Sequence, residues 1–173
     1  METIYIAGGC LWGVQEFLKH IPGVLNTQAG RVNGFTKSTK TAYDGYAECV
    51  KTTFDANIIS IEDLIHYFLE IIDPYSINRQ GNDIGEKYRT GIYSKNQNHL
   101  LKAKNCIKEI EKTLNLQNET EKRIAIEVLH LTNLTKASTK TPMALQTNWQ
   151  LKKYMNVFHK NIEVCFLAQE YKA

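Results

Sequence analysis

The 173-residue sequence lacks most of what would mark a specialised class of protein. Its four cysteines, Cys10, Cys49, Cys106 and Cys165, are too few and too scattered for a disulfide framework, and no pair has zinc-knuckle spacing. Only three Pro and ten Gly are present, and 43% hydrophobic against 23% charged residues excludes a disordered or collagen-like chain. Neither sign of charge dominates. Lys and Arg exceed Asp and Glu by 21 to 18, and a net +3 is too weak for the basic footprint that a phosphate backbone demands. Nucleic acid is therefore not an expected partner. No apolar run approaches the ~18 residues of a membrane span, so no membrane association is expected. The opening METIYIAGG has neither the basic nor the long apolar stretch of a secretory leader. These absences leave a globular protein, expected to be cytoplasmic and monomeric, with reduced thiols and no metal.

What is present is unevenly spread. Residues 1–100 carry 9 basic against 11 acidic side chains, whereas residues 101–173 carry 12 against 7. All ten Gly lie at or before Gly91, and all five Asp at or before Asp83. Thr3 to Ala7 reads as a buried strand running into Gly8-Gly9. Val14, Phe17, Leu18 and Ile21 have helical spacing, stopped by Pro22-Gly23. Val24 to Arg31 suits a strand. From Tyr46 to Phe54 the residues alternate, with Tyr46, Glu48, Val50, Thr52 and Phe54 on one face and Cys49 on the other. Ser60 and Asp63 have capping-box spacing, with Asp in place of Glu or Gln, ahead of an apolar helix reaching Ile72. Tyr75 to Tyr88 is a polar, glycine-punctuated loop. A strand at Thr90 to Tyr93, a polar helix from about Asn96 to Leu114 and a strand from Arg123 to Leu129 follow. This order predicts an α+β domain, a two-layer, ferredoxin-like plait of mixed strands with helices packed on it.

Cys10 is where chemistry is expected. It follows two glycines at a strand's end and precedes a helix, so its thiol meets unpaired backbone N–H groups and the positive end of the helix dipole. Both favour the thiolate. A lone cysteine at such a turn is more often a small buried hydrophobe, but Gly8, Gly9 and Gly13 strip side chains from around this one. Leu11 and Trp12 add apolar surface beside it.

The segment GGCLWG resembles the signature of the type A peptide-methionine sulfoxide reductases, usually Gly-Cys-Phe-Trp-Gly. "IPGV", "YDGYAECVKTTFD", "ISIEDLIHYFLEIIDP" and "NRQGNDIGEKYRTGIY" resemble the same family in the same order, so the likeness runs from about Ile4 to about Asn133. It implies reduction of methionine S-sulfoxide, free or in proteins, as a repair reaction. Cys10 would attack the sulfoxide sulfur and become a sulfenic acid. Trp12, with Leu11 and Gly9, would bind the substrate methyl group; Glu48 would hydrogen-bond or protonate the sulfoxide oxygen, and Tyr88 and Tyr43 would hydrogen-bond it. Asp83 would orient the substrate. The electrons would come from thioredoxin or another thiol, with no cofactor. A sulfoxide oxygen leaves poorly until protonated, so Glu48 must hold its proton near neutral pH, and burial among aromatic rings would raise its pKa.

Two departures qualify the resemblance. Leu11 stands where the family usually has Phe, which removes an aromatic wall but keeps an apolar one. After Leu134 the chain lacks the acidic, Tyr-His-Gln-containing segment common in the family, and residues 135–173 hold six Lys against two Glu. Residues 1–134 therefore read as the catalytic body and 135–173 as a divergent C-terminal extension of the same domain. By position, Cys165 is the candidate to resolve the sulfenic acid, while Cys49 and Cys106 read as structural. Two other functions fit parts of the pattern: a degenerate member that binds Met-containing peptides without turnover, and a hydrolase pairing Cys10 with one of five scattered histidines.

Overall fold

A computed structural model describes residues 1–36, 42–118 and 121–137. The α+β class is as expected. The chain runs β1 (Glu2–Ala7), α1 (Leu11–Leu18), β2 (Val24–Val32), β3 (Ala47–Phe54), α2 (Ile61–Leu69), β4 (Arg79–Gln80), β5 (Asp83–Ile84), β6 (Gly91–Ser94), α3 (Gln97–Asn118), β7 (Glu127–His130) and β8 (Leu134–Lys136). A mixed six-stranded sheet has the order β7-β6-β1-β3-β2-β8, and β4 with β5 forms a separate small hairpin. Every pair in the large sheet is antiparallel except β6 with β7, which run parallel because α3 carries the chain back between them.

Strand alternation divides the core in two. Ile4, Ile6, Val50, Phe54 and Ile92 pack with the apolar faces of α1, α2 and α3 in the main core. Cys49 and Tyr93 join Ala7, Val32, Ala47 and Leu131 in a smaller cluster. Cys106 is buried within the main core on α3, which agrees with its structural reading. The capping box forms: Asp63 N–H donates to the Ser60 hydroxyl at 3.0 Å and Ser60 N–H to the Asp63 carboxylate at 3.0 Å. Asp serves in place of the longer Glu.

Two features escaped the sequence pattern. The β4–β5 hairpin lies inside the segment read as a loop, and it is anchored by buried Gln80, which accepts from Asp73 N–H and donates to Asp73 carbonyl, both at 2.8 Å. Strand β8 pairs with β2, Val32 opposite Leu134 and Gly30 opposite Lys136, so the sheet continues across the join at Leu134.

Candidate active site

The site is assembled where β1 ends and α1 begins. Gly9 has φ +86°, which an L side chain rarely adopts, and this turns the chain so that Cys10 becomes the N-cap of α1. Gly8 passes so close to α2 that an added Cβ would lie 2.5 Å from the Phe68 ring. Glycine at both positions thus follows from the fold. The Cys10 carbonyl accepts from Gly13 N–H at 3.1 Å and Val14 N–H at 3.2 Å and starts the helix. The Trp12 and Gly13 N–H groups also lie toward its sulfur, though without a regular capping hydrogen bond.

Glu48 comes from β3, and one of its carboxylate oxygens accepts from Leu11 N–H at 3.2 Å, which brings the acid to the first residue of α1. Its other oxygen lies 3.7 Å from the Lys87 ammonium. Arg31 is the cross-strand register partner of Glu48, and its guanidinium stands 4.3 Å over the Tyr46 ring. Asp83 comes from β5; its carboxylate takes the Cys10 N–H, and its Oδ2 is a buried oxygen without a hydrogen-bond partner. Such an oxygen is costly to bury and suits a place that a donor fills in turn. Tyr88 follows in the short 3-10 helix Glu86–Tyr88.

The electrostatics tie these groups together. Burial raises the Glu48 pKa first of all; Leu11 N–H, Lys87 and Arg31 oppose that rise, and Asp83 adds to it. The expected direction is therefore present. Burial likewise raises Asp83 against the pull of Cys10 N–H and Lys87, and raises Tyr88, keeping it a neutral phenolic donor at neutral pH. Cys10 departs from expectation. Its N–H neighbours do favour the thiolate, but burial outweighs them, and the carboxylates of Glu48 and Asp83 push the thiol pKa further up. Donors alone were legible in the sequence; desolvation and two nearby acids were not.

The structure thus brings Cys10, Glu48, Asp83 and Tyr88 into one coupled cluster. Trp12 is half-buried next to the thiol in the chain, whereas Leu11 is only 5% exposed and reaches Glu48 through its backbone. Tyr43 is 44% exposed, and its hydroxyl lies 3.5 Å from Arg89, with its ring edge-on to Tyr46. It is tied to the neighbouring Arg89 cluster. Cys165 lies outside the described residues. Cys49 is fully buried in the smaller core cluster, as strand alternation foretold. Among the described residues, two histidines are engaged elsewhere: His99 lies between Ser94 and Glu2, and His20 meets Glu16. Both groups whose charge acts on Cys10 are carboxylates.

Sequence reasoning missed Lys87, Arg31 and Tyr46. Tyr46 shares the face of Glu48 by alternation and could have been found that way. Arg31 needs the register of β2 on β3, and Lys87 looks like any surface lysine until the hairpin is folded.

Known proteins resemble this chain over most of its length. The sequence model of the family described as peptide methionine sulfoxide reductase matches residues 2–171, well past the Asn133 at which the motif resemblance ended. The peptide methionine sulfoxide reductase MsrA of Clostridium perfringens is 42% identical over 144 residues, 79% of this chain and 87% of that protein. Among solved structures, methionine sulfoxide reductase A of Corynebacterium diphtheriae superposes with a TM-score of 0.72 at 28% identity, covering 85% of this chain and 74% of its own. Reduced Mxr1 from Saccharomyces cerevisiae gives 0.69 at 22% identity over 80% of each chain, which speaks for the fold. The same yeast protein in complex with Trx2 gives 0.58 at 18% identity, covering 80% of this chain and 82% of its own.

Proposed function

This chain belongs to the peptide methionine sulfoxide reductase family, and from that premise we propose that Cys10 is the nucleophile and Glu48 the acid of its thiol-dependent reduction of methionine sulfoxide. The observation that carries the assignment is the Leu11 N–H to Glu48 hydrogen bond of 3.2 Å, which joins the acid to the residue following the thiol.

In the first step the Cys10 thiol gives its proton to solvent and attacks the sulfoxide sulfur as the thiolate, while the oxygen takes a proton from Glu48. The oxygen ends on Cys10 as a sulfenic acid, so Cys10 sulfur is oxidised by two electrons and the substrate sulfur is reduced by two to the thioether. Holding the proton on Glu48 also removes one of the two negative charges that raise the Cys10 pKa. Delivery of that proton leaves a carboxylate that Lys87 and Leu11 N–H stabilise. Tyr88 donates to the oxygen, with Tyr43 brought in from the rim; the unpartnered Asp83 oxygen receives a donor from the substrate. Trp12 covers the methyl group, with Leu11 behind it and Gly9 leaving the approach open.

A second thiol then condenses with the sulfenic acid, releasing water and leaving a disulfide that a dithiol reductant opens. We assign the second thiol to Cys165 and the reductant to thioredoxin. The yeast relative solved with Trx2 supports that partner. The chain acts as a cytoplasmic monomer on the S epimer, with residues 1–134 as catalytic body and 135–173 as a continuation of the same domain. No helix among the described residues is long and apolar enough to cross a membrane.

An epimer-resolved assay with dithiothreitol or thioredoxin tests this reading. Wild type reduces the S epimer; Cys10→Ser, still folded by circular dichroism, loses turnover altogether. Mass spectrometry after one turnover without reductant finds a Cys10–Cys165 disulfide, or a sulfenic acid on Cys10 if Cys165 is not the resolver. A wild type that binds Met-containing peptides and reduces nothing would sink the assignment.

A further inference from the structure

Glu48 is faced by ionisable groups from every element around it. Asp83 comes from β5, Arg31 from β2, the Cys10 thiol from the start of α1, and Lys87 and Tyr88 from the 3-10 helix. Lys87 is the member that touches two of the groups assigned to the sulfoxide oxygen. Its ammonium is 3.7 Å from a Glu48 oxygen and 4.6 Å from the centre of the Tyr88 ring. The Glu48 side chain is 13% exposed and that of Lys87 36%, so water screens this pair less than a pair on the open surface.

Resting on the reading of Glu48 as the acid, we propose that Lys87 is a positioning residue of the reductase reaction, holding the Glu48 carboxyl beside Tyr88 and setting the pH at which the acid form is lost. A distance of 3.7 Å is loose for an ammonium–carboxylate pair, whose charge-assisted hydrogen bonds run ~2.7–2.9 Å. The pair is therefore not locked, and Glu48 keeps access to its neutral form. Once the proton has passed to the sulfoxide oxygen, the same ammonium can close on the new carboxylate. Lys87 and Arg31 act on Glu48 in the same direction, whereas Asp83 and burial act in the other, so removing Lys87 must extend the neutral acid to higher pH.

The test is kcat/KM against pH for wild type, K87Q and K87R on a methionine-sulfoxide peptide with dithiothreitol, together with an NMR titration of the Glu48 carboxyl in wild type and K87Q. At the alkaline end, where wild type falls off, K87Q retains roughly three-fold more of its own maximum, and K87R follows wild type because the charge is kept. The Glu48 titration moves up in K87Q by a matching amount. An unmoved titration overturns the inference and leaves Glu48 as the acid. A moved titration with superimposable rate profiles overturns it through the assignment of Glu48 itself.

Discussion

Lys87 and Arg89 stand two residues apart, and each meets a carboxylate, but the two pairs are built differently. On the side where Tyr93 packs, Arg89 Nε lies 2.8 Å from Glu127 and its other nitrogens donate to the carbonyls of Gly45, Tyr46 and Glu86, each at 3.0 Å. Glu127 also accepts the Tyr93 hydroxyl. Around Glu48 stand one backbone N–H, an ammonium at 3.7 Å and, across the strand pair, the Arg31 guanidinium. A planar guanidinium with several satisfied donors fixes a geometry, whereas a loosely held acid keeps the choice between its charged and neutral forms. The first arrangement serves the architecture, and the second suits the proton transfer proposed for Glu48.

The largest expected effect sets the two carboxylates against each other. Glu48→Gln keeps an acceptor for Leu11 N–H but has no proton to give, and loss of a general acid costs roughly 10²–10³-fold in kcat/KM. Glu127→Gln changes kcat/KM by less than about three-fold, because Glu127 bonds Arg89 and Tyr93 and lies outside the Cys10 cluster. Equal losses in the two variants would collapse the distinction. Next in size is Arg89→Met, which leaves the buried side of Glu127 and three carbonyls without their donor and costs about 3 kcal/mol of stability. At ~2–4 °C per kcal/mol for a chain of this size, Tm falls by about 6–12 °C in a melting scan. A drop under 2 °C would mean that the Arg89 cluster is decoration.

The same contrast explains what could be read before the structure. Runs with a clear period, such as the alternation from Tyr46 to Phe54 and the Ser60–Asp63 cap, appear close to where they were expected. Strand β7, Glu127–His130, is shorter and begins later than the expected run from Arg123 to Leu129. Two-residue strands have no period to detect, so β4 and β5 were invisible, and with them the placement of Asp83 and Lys87. The identity of Cys10 and Glu48 as candidates followed from motif and alternation. The thiol's upward shift did not, because it arises from burial and from acids 38 and 73 residues away in the chain. Local signals report donors; only the assembled site reports desolvation.

The smallest expected effect follows from the cost of that desolvation. Glu48 has a folded-state pKa raised mainly by burial, so the fold favours its protonated form. Its contribution to stability is fully present below the unfolded-state pKa of a glutamate, near 4.3, and is lost as pH rises through the higher folded value. Above that window the native state carries a poorly compensated carboxylate. Gln imitates the neutral acid at every pH, so Glu48→Gln is more stable than wild type at pH 7 by less than about 1 kcal/mol, and the gain vanishes near pH 4. Lys87 limits the gain, since its ammonium stabilises the charged form that the variant lacks. Melting scans of both proteins at pH 4 and pH 7 check the sign. If Glu48→Gln is the less stable at pH 7, the Lys87 contact outweighs burial and Glu48 belongs with Glu127, among the carboxylates that hold the fold together.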